Sequence, residues 1–157
     1  MTTQIRAPMQ RGEIAELLRD HGIAPTHQRI EIAGVLFSRC EHLSADRLLT
    51  IVNSRYSEVS KATVYNSLRL FLEKKLIREV IVDPSRVFYD ANTAPHHHFY
   101  NMSSGELTDI CDANLQLAGM PTLPDGMVAD SIDVIVRIRP RDGAGGPVAP
   151  ASLPASC

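Results

Sequence analysis

The stretch Ser60 to Tyr89, SKATVYNSLRLFLEKKLIREVIVDPSRVFY, changes its hydrophobic period once. Val64, Leu68, Phe71 and Leu72 recur at three and four, the spacing of one helical face, and predict a helix over residues 60–75 with Ser60 as its N-cap. Tyr65, Asn66 and Arg69 lie off that stripe and face outward when it faces a core. After Leu76 the pattern becomes two short β-like runs, 77–82 and 86–89, around the turn Asp83-Pro84-Ser85. A helix followed directly by a hairpin is the second half of a winged helix-turn-helix. In that arrangement the helix before the hairpin is the one that enters a major groove.

Upstream, the same reasoning gives three more helices. Ile14, Leu17 and Leu18 mark one over 10–21, closed by Gly22. Thr26 caps a second, which carries Ile30, Ala33, Val35, Leu36 and Phe37. Ser44 caps a third with Ala45, Leu48, Leu49 and Val52. Downstream, residues 92–95 read as a hinge, with strands expected at 96–102 and 106–110 around Ser103-Ser104-Gly105. A short helix is expected at 114–118 and a rigid loop at 120–126. A long alternating strand is expected at 128–138, suited equally to a dimer sheet or to core burial. The Gly-, Ala- and Pro-rich segment 141–157 reads as disordered. The fold class is therefore α+β. Residues 1–91 are expected to form an N-terminal winged helix-turn-helix DNA-binding domain, and 95–140 a small α/β dimerisation domain.

Composition narrows the function. No apolar run approaches the ~20 residues that span a bilayer, and the N-terminus lacks a signal-peptide core, so a cytoplasmic protein with no membrane partner is expected. Cys40, Cys111 and Cys157 form no CxxC pair and no disulfide framework. Residues 1–83 carry 12 Lys+Arg against 10 Asp+Glu, and residues 84–157 carry 4 against 8. A mildly basic module joined to an acidic, histidine-bearing one fits that asymmetry, as does an accident of composition.

His96, His97 and His98 are consecutive. On a strand His96 and His98 share one face, with Cα atoms roughly 6.6 Å apart, and can converge on one ion, while His97 points the other way. Asp90, Asp109 and His42 are the nearest candidates to complete a shell. Nitrogen and oxygen donors of this kind suit iron, manganese or zinc. A solvated edge strand fits the HHH run equally on pattern alone. In the fourth helix Asn66 can read a base edge and Lys61 and Arg69 can hold phosphates, with Thr63 and Ser67 as further donors; Arg29 and Arg78 can grip the backbone. Tyr65 fits either a packing role or a base contact.

These stretches together resemble the ferric uptake regulator family, over about residues 14–139. They are Pro25-Thr26-His27-Gln28-Arg29, His42-Leu43-Ser44-Ala45-Asp46, residues 60–68, Phe88-Tyr89-Asp90 and His96-His97-His98. The HHHFY run, the missing Cys pairs and the ending through Ile132 to Arg139 look most like its iron response regulator branch. The resemblance implies a regulatory metal site at His42, Asp90, His96, His98 and Asp109, the last matching the peroxide-sensing branch. It implies Fe2+ or Mn2+ in the cell, with Zn2+ accepted in vitro, and an ion that joins the two domains. It also implies that Tyr65 faces DNA, and that a homodimer binds an AT-rich inverted repeat in double-stranded DNA. The function so implied is repression of iron-homeostasis genes, with no enzyme activity; peroxide sensing through a bound ferrous ion is the alternative. Haem is a further ligand that the branch implies for the HHH run, although no Cys-Pro motif is present.

The chain departs from the family in places. Asn101 and Ser104 stand where the first structural-zinc Cys pair belongs, so no zinc of that type is expected. A second sheet site, metal or haem, has His97 and Asp130 as candidates, but Gln116 offers no acidic ligand there. Two other classes compete with the regulator. A metal hydrolase would need an open coordination position and a placed general base, and no HExxH-type motif supplies them. A metal-buffering protein would bind the ion without any role on DNA.

Overall fold

Each helix of the N-terminal half begins where a side chain answers its first amides. Thr26, Ser44 and Ser60 accept from the backbone N–H of Arg29, Arg47 and Thr63 at 3.4, 3.3 and 3.1 Å. These caps, worth ~1 kcal/mol each, start α2 (His27–Phe37), α3 (Ala45–Arg55) and α4 (Lys61–Glu73). Before α1 (Arg11–Asp20) the Glu13 carboxylate accepts from the Gln10 backbone N–H at 2.6 Å. The computed structural model describes residues 9–39, 41–56, 58–110 and 115–141, and divides into two compact units between Thr93 and Ala94.

Two helices end in the same way. After α1, Gly22 (φ +69°) and Ile23 donate to the carbonyls of Arg19 and Leu18, each at 2.8 Å. After α4, Lys75 and Leu76 donate to Leu72 and Phe71 at 3.0 and 2.9 Å. Lys75 there takes φ +55°, the left-handed conformation this double hydrogen bond requires. That turn stops α4 at Glu73, two residues short of the expected end. The hairpin follows as β1 (Arg78–Asp83) and β2 (Arg86–Asp90). Asp83 Oδ1 fixes its turn by accepting from the Ser85 N–H and O–H at 2.8 and 2.7 Å. One extra residue, Val82, bulges between the pairs Ile81–Val87 and Asp83–Arg86.

The core of this unit follows the stripes read from sequence, with two differences: Leu17, Ile30, Leu49 and Leu72 are only partly buried, and Ile32, not in the expected stripe, is fully buried. Leu18, Ile32, Leu48, Val52, Val64, Leu68 and Phe71 are all sealed from solvent. Packing them leaves Tyr65, Asn66 and Arg69 exposed on α4. The winged helix-turn-helix expectation is met. Unforeseen is Glu31, 3% exposed inside α2, which pairs with the Arg11 guanidinium and stands 3.8 Å from His27 Nε2.

The second unit is a three-stranded sheet in the order β4-β3-β5. Its central strand β3 (His97–Asn101) pairs antiparallel with β4 (Leu107–Ile110) and parallel with β5 (Ile135–Ile138). The expected long strand over 128–138 is corrected to those last four residues. Parallel pairing needs a partner, and β3 begins at His97, so the ladder starts at His98–Ile135. One step earlier the Val134 N–H donates instead to His97 Nδ1 at 3.2 Å. The short helix expected at 114–118 is absent over Leu115–Ala118, and Asn114 lies outside the described residues. So few residues cannot offset the cost of nucleation, and Gly119 at φ +80° and Pro121 follow at once. The loop after it does turn tightly, with Met127 N–H donating to the Pro124 carbonyl at 3.0 Å and Gly126 at φ +78°. The segment 142–157, expected to be disordered, lies outside the described residues. Among the described residues no helix is long and apolar enough to cross a membrane.

Candidate metal half-sites and nucleic-acid face

In the helical unit a single bridge brings two donors together. Leu43, just before α3, pairs antiparallel with Tyr89 on β2 through two backbone hydrogen bonds of 2.8 and 3.4 Å. Stepping one residue outward on each side sets His42 against Asp90. His42 Nε2 lies 3.3 Å from Asp90 Oδ2, and the two side chains are 4% and 9% exposed. The other carboxylate oxygen, Oδ1, accepts from the Asn92 N–H at 2.8 Å, which fixes its orientation. Next to this pair, burial and the nearby Glu79 and Tyr65 push the Tyr89 phenol above its ordinary pKa.

In the sheet unit the register does the same work. His98 and Asp109 are direct partners across β3 and β4, so their side chains share a face. His96, just before β3, falls on that face too, its ring centre 4.5 Å from that of His98. Asp109 Oδ1 lies 3.3 Å from His96 Nε2 and 3.6 Å from His98 Nε2. His96 Nδ1 donates to the Ala94 carbonyl at 2.7 Å, so in the neutral ring Nε2 carries the lone pair. A lone pair and a carboxylate oxygen at that distance repel unless a cation, proton or metal, lies between them. Buried imidazole and carboxylate donors, oriented by backbone partners, fit a divalent ion of the iron, manganese or zinc kind.

The sequence suggests a second site at His97 and Asp130. Among the described residues, His97 and Asp130 belong to no cluster of three or more ligating side chains. His97 spends Nδ1 on the Val134 backbone, and Asp130 is exposed in a loop. For a haem plane, His98 at 0% exposure offers no open ring face, which leaves His97 as the most accessible imidazole of the run. Asn101 serves a turn, its Oδ1 accepting from the Ser103 and Ser104 N–H groups at 2.9 and 3.2 Å.

On α4, Lys61, Tyr65 and Arg69 sit four residues apart in one exposed row, with Asn66 beside it. Lys61 Nζ lies 5.6 Å from the centre of the Tyr65 ring. Thr63 is half-buried and its hydroxyl is 2.9 Å from that of the capping Ser60. Ser67, expected as a donor to DNA, is corrected: it is buried, because position 67 falls on the stripe side of the helix next to Val64 and Leu68. Arg29 directs one guanidinium nitrogen to the Ala24 carbonyl at 3.0 Å. Sequence reading missed that Lys61 and Arg69 each face a carboxylate, Asp46 at 3.1 Å and Glu73 at 3.6 Å. The second pair was legible as an i,i+4 spacing; the first joins two helices and had no local signal.

The profile of the Ferric uptake regulator family matches residues 20–120. The peroxide operon regulator of Bacillus subtilis is 31% identical over 97 residues, which cover 62% of this chain and 67% of that one. The peroxide-responsive repressor PerR of Staphylococcus epidermidis is 32% identical over 92 residues, 59% of this chain and 61% of that one. The alignments thus span about three fifths to two thirds of these relatives' length. The ferric uptake regulator structure from Vibrio cholerae shares the fold, with a TM-score of 0.62 at 21% identity, over 80% of this chain and 98% of that one.

Proposed function

Because the chain belongs to the ferric uptake regulator family, we propose that it is a homodimeric, metal-responsive transcriptional regulator of the cytoplasm, a repressor of iron-homeostasis genes and not an enzyme. The observation that carries this reading is the pair of buried donor sets, His42 with Asp90 and His96 with His98 and Asp109. The first set lies before the Thr93–Ala94 division in sequence and the second after it. One divalent ion, Fe2+ or Mn2+ in the cell and Zn2+ in vitro, takes ligands from both sets. The ion supplies the positive charge that lets facing acceptors share a site. The protein supplies the orientation, through the Ala94 carbonyl on His96 and the Asn92 N–H on Asp90.

Residues 1–91 serve as the DNA-binding domain and 95–140 as the metal-sensing dimerisation domain. Tyr65 and Asn66 read base edges while Lys61, Arg69 and Arg29 hold phosphates, with Thr63 as a lesser donor. A two-fold dimer presents two such helices to an inverted repeat, AT-rich by family resemblance. A ligand shifts such a switch only by its differential affinity for the two states, and ligands drawn from two units provide it. The iron response regulator branch is supported by the HHH run and the missing Cys pairs, and haem by that resemblance alone. The test is a DNA-binding series with Fe(II), Mn(II), haem and chelator at fixed salt. Specific binding is expected only with ligand. Tyr65→Ala with Arg69→Ala should weaken it at least about tenfold, from ~1–3 kcal/mol per lost base contact; wild-type affinity in that double variant refutes the helix assignment.

A second reading, peroxide sensing, is favoured by the carboxylate Asp109 beside two imidazoles and by the names of the curated relatives. In it, His42, Asp90, His96, His98 and Asp109 would hold Fe2+, which would supply the electrons that split peroxide and so the oxidant for His42 or His96. Mass spectrometry after Fe(II) and peroxide should find added oxygen on those peptides, and unmodified peptides retire the reading.

A further inference from the structure

The exposed row on α4 continues past Arg69 to Glu73, so that Lys61, Tyr65, Arg69 and Glu73 follow one another at i,i+4. Both cations of that row face a carboxylate. Asp46 Oδ1, in the first turn of α3, lies 3.1 Å from Lys61 Nζ. Glu73 Oε1 lies 3.6 Å from Arg69 Nε. All four side chains are more than half exposed. Exposed pairs of this kind do little to hold a fold. α4 does not need them, since Val64, Leu68 and Phe71 already anchor it in the core.

We infer that Asp46 and Glu73 limit the affinity of the DNA face for duplex, occupying Lys61 and Arg69 in competition with phosphates. The inference rests on the regulator reading above. Affinity for arbitrary duplex comes from phosphate neutralisation by Lys and Arg. A cation already facing a carboxylate must give up that partner, or carry it into the phosphate field, before it gains a phosphate. The cost falls on operator and random duplex alike, because phosphate contacts carry no sequence information. At an operator the contacts of Tyr65 and Asn66 with base edges add a term that the carboxylates leave alone. The carboxylates thus hold down the affinity for arbitrary duplex while the base-edge contacts keep the operator bound. A raised Lys61 pKa, caused first by the Asp46 hydrogen bond and then by its charge, agrees with an ammonium already partnered.

The test compares the metal-loaded wild type with Asp46→Asn and Glu73→Gln on an operator duplex and a scrambled duplex across a salt series. Each variant should bind the scrambled duplex several-fold more tightly. Its plot of log affinity against log salt should steepen by about one unit, the value of one added phosphate contact. Affinity for the operator should rise by a similar factor, so that the ratio of the two stays close to wild type. In a Lys61→Met background Asp46→Asn should have a smaller effect, because only the repulsion between that carboxylate and the phosphates is then relieved. An unchanged slope, or an Asp46→Asn effect undiminished in Lys61→Met, overturns the inference. Acetylation of the Lys61 amine, followed by mass spectrometry without DNA, should be faster in Asp46→Asn than in wild type; equal rates also overturn it. If instead the wild type fails to separate operator from scrambled DNA, the regulator reading fails, and the acetylation rates still judge the ion pair.

Discussion

Asp109 faces two imidazoles at once, through the cross-strand partner His98 and through His96 just outside the strand. Asp109→Asn keeps the shape and removes the anionic donor. The variant should lose more than about tenfold in affinity for Mn(II), a change of ~1.4 kcal/mol, while its metal-free melting curve stays close to wild type. Titration calorimetry reads the first and circular dichroism the second; equal affinities would take Asp109 out of the ligand set. The same scale separates His97 from its neighbours. One residue of alternation turns its ring from the shared face to the Val134 backbone, so three identical side chains in a row have two different fates.

At the scale of the element, α4 shows how ends and faces are set independently. Its start rests on Ser60, its exposed face on where Val64, Leu68 and Phe71 must pack, and its end on a left-handed Lys75. A lysine pays a steric penalty at φ +55° that glycine does not. Lys75→Gly should therefore stabilise the fold by up to ~1 kcal/mol, with the lower entropy of the unfolded lysine chain working against it. Thermal or urea unfolding measures it, and a destabilised variant would show that the lysine side chain contributes more than its backbone costs. The wing β1–β2 is likewise more than an accessory to α4. Its Tyr89 backbone holds Leu43, and this is how a residue from before α3 comes to face one that ends the hairpin.

For the whole molecule, metal that binds the folded state alone stabilises it by RT ln(1 + [L]/Kd), about 2.7 kcal/mol at a hundredfold excess over Kd. Adding a chelator should lower the melting temperature and abolish operator binding together, as read by calorimetry and gel shift on one sample. A chelator that moves one without the other would separate sensing from DNA recognition. Much of this architecture was legible in the chain itself. The caps at Thr26, Ser44 and Ser60, the stripe of α4, the Asp83-Pro84-Ser85 turn and the shared face of His96 and His98 are written within a few neighbouring residues, where propensity and periodicity act. The pairing of His42 with Asp90, of His98 with Asp109 and of Asp46 with Lys61, and the shortening of β5 to Ile135–Ile138, are not. Each joins residues far apart in sequence, and their meeting depends on strand register and helix packing, which no local pattern encodes.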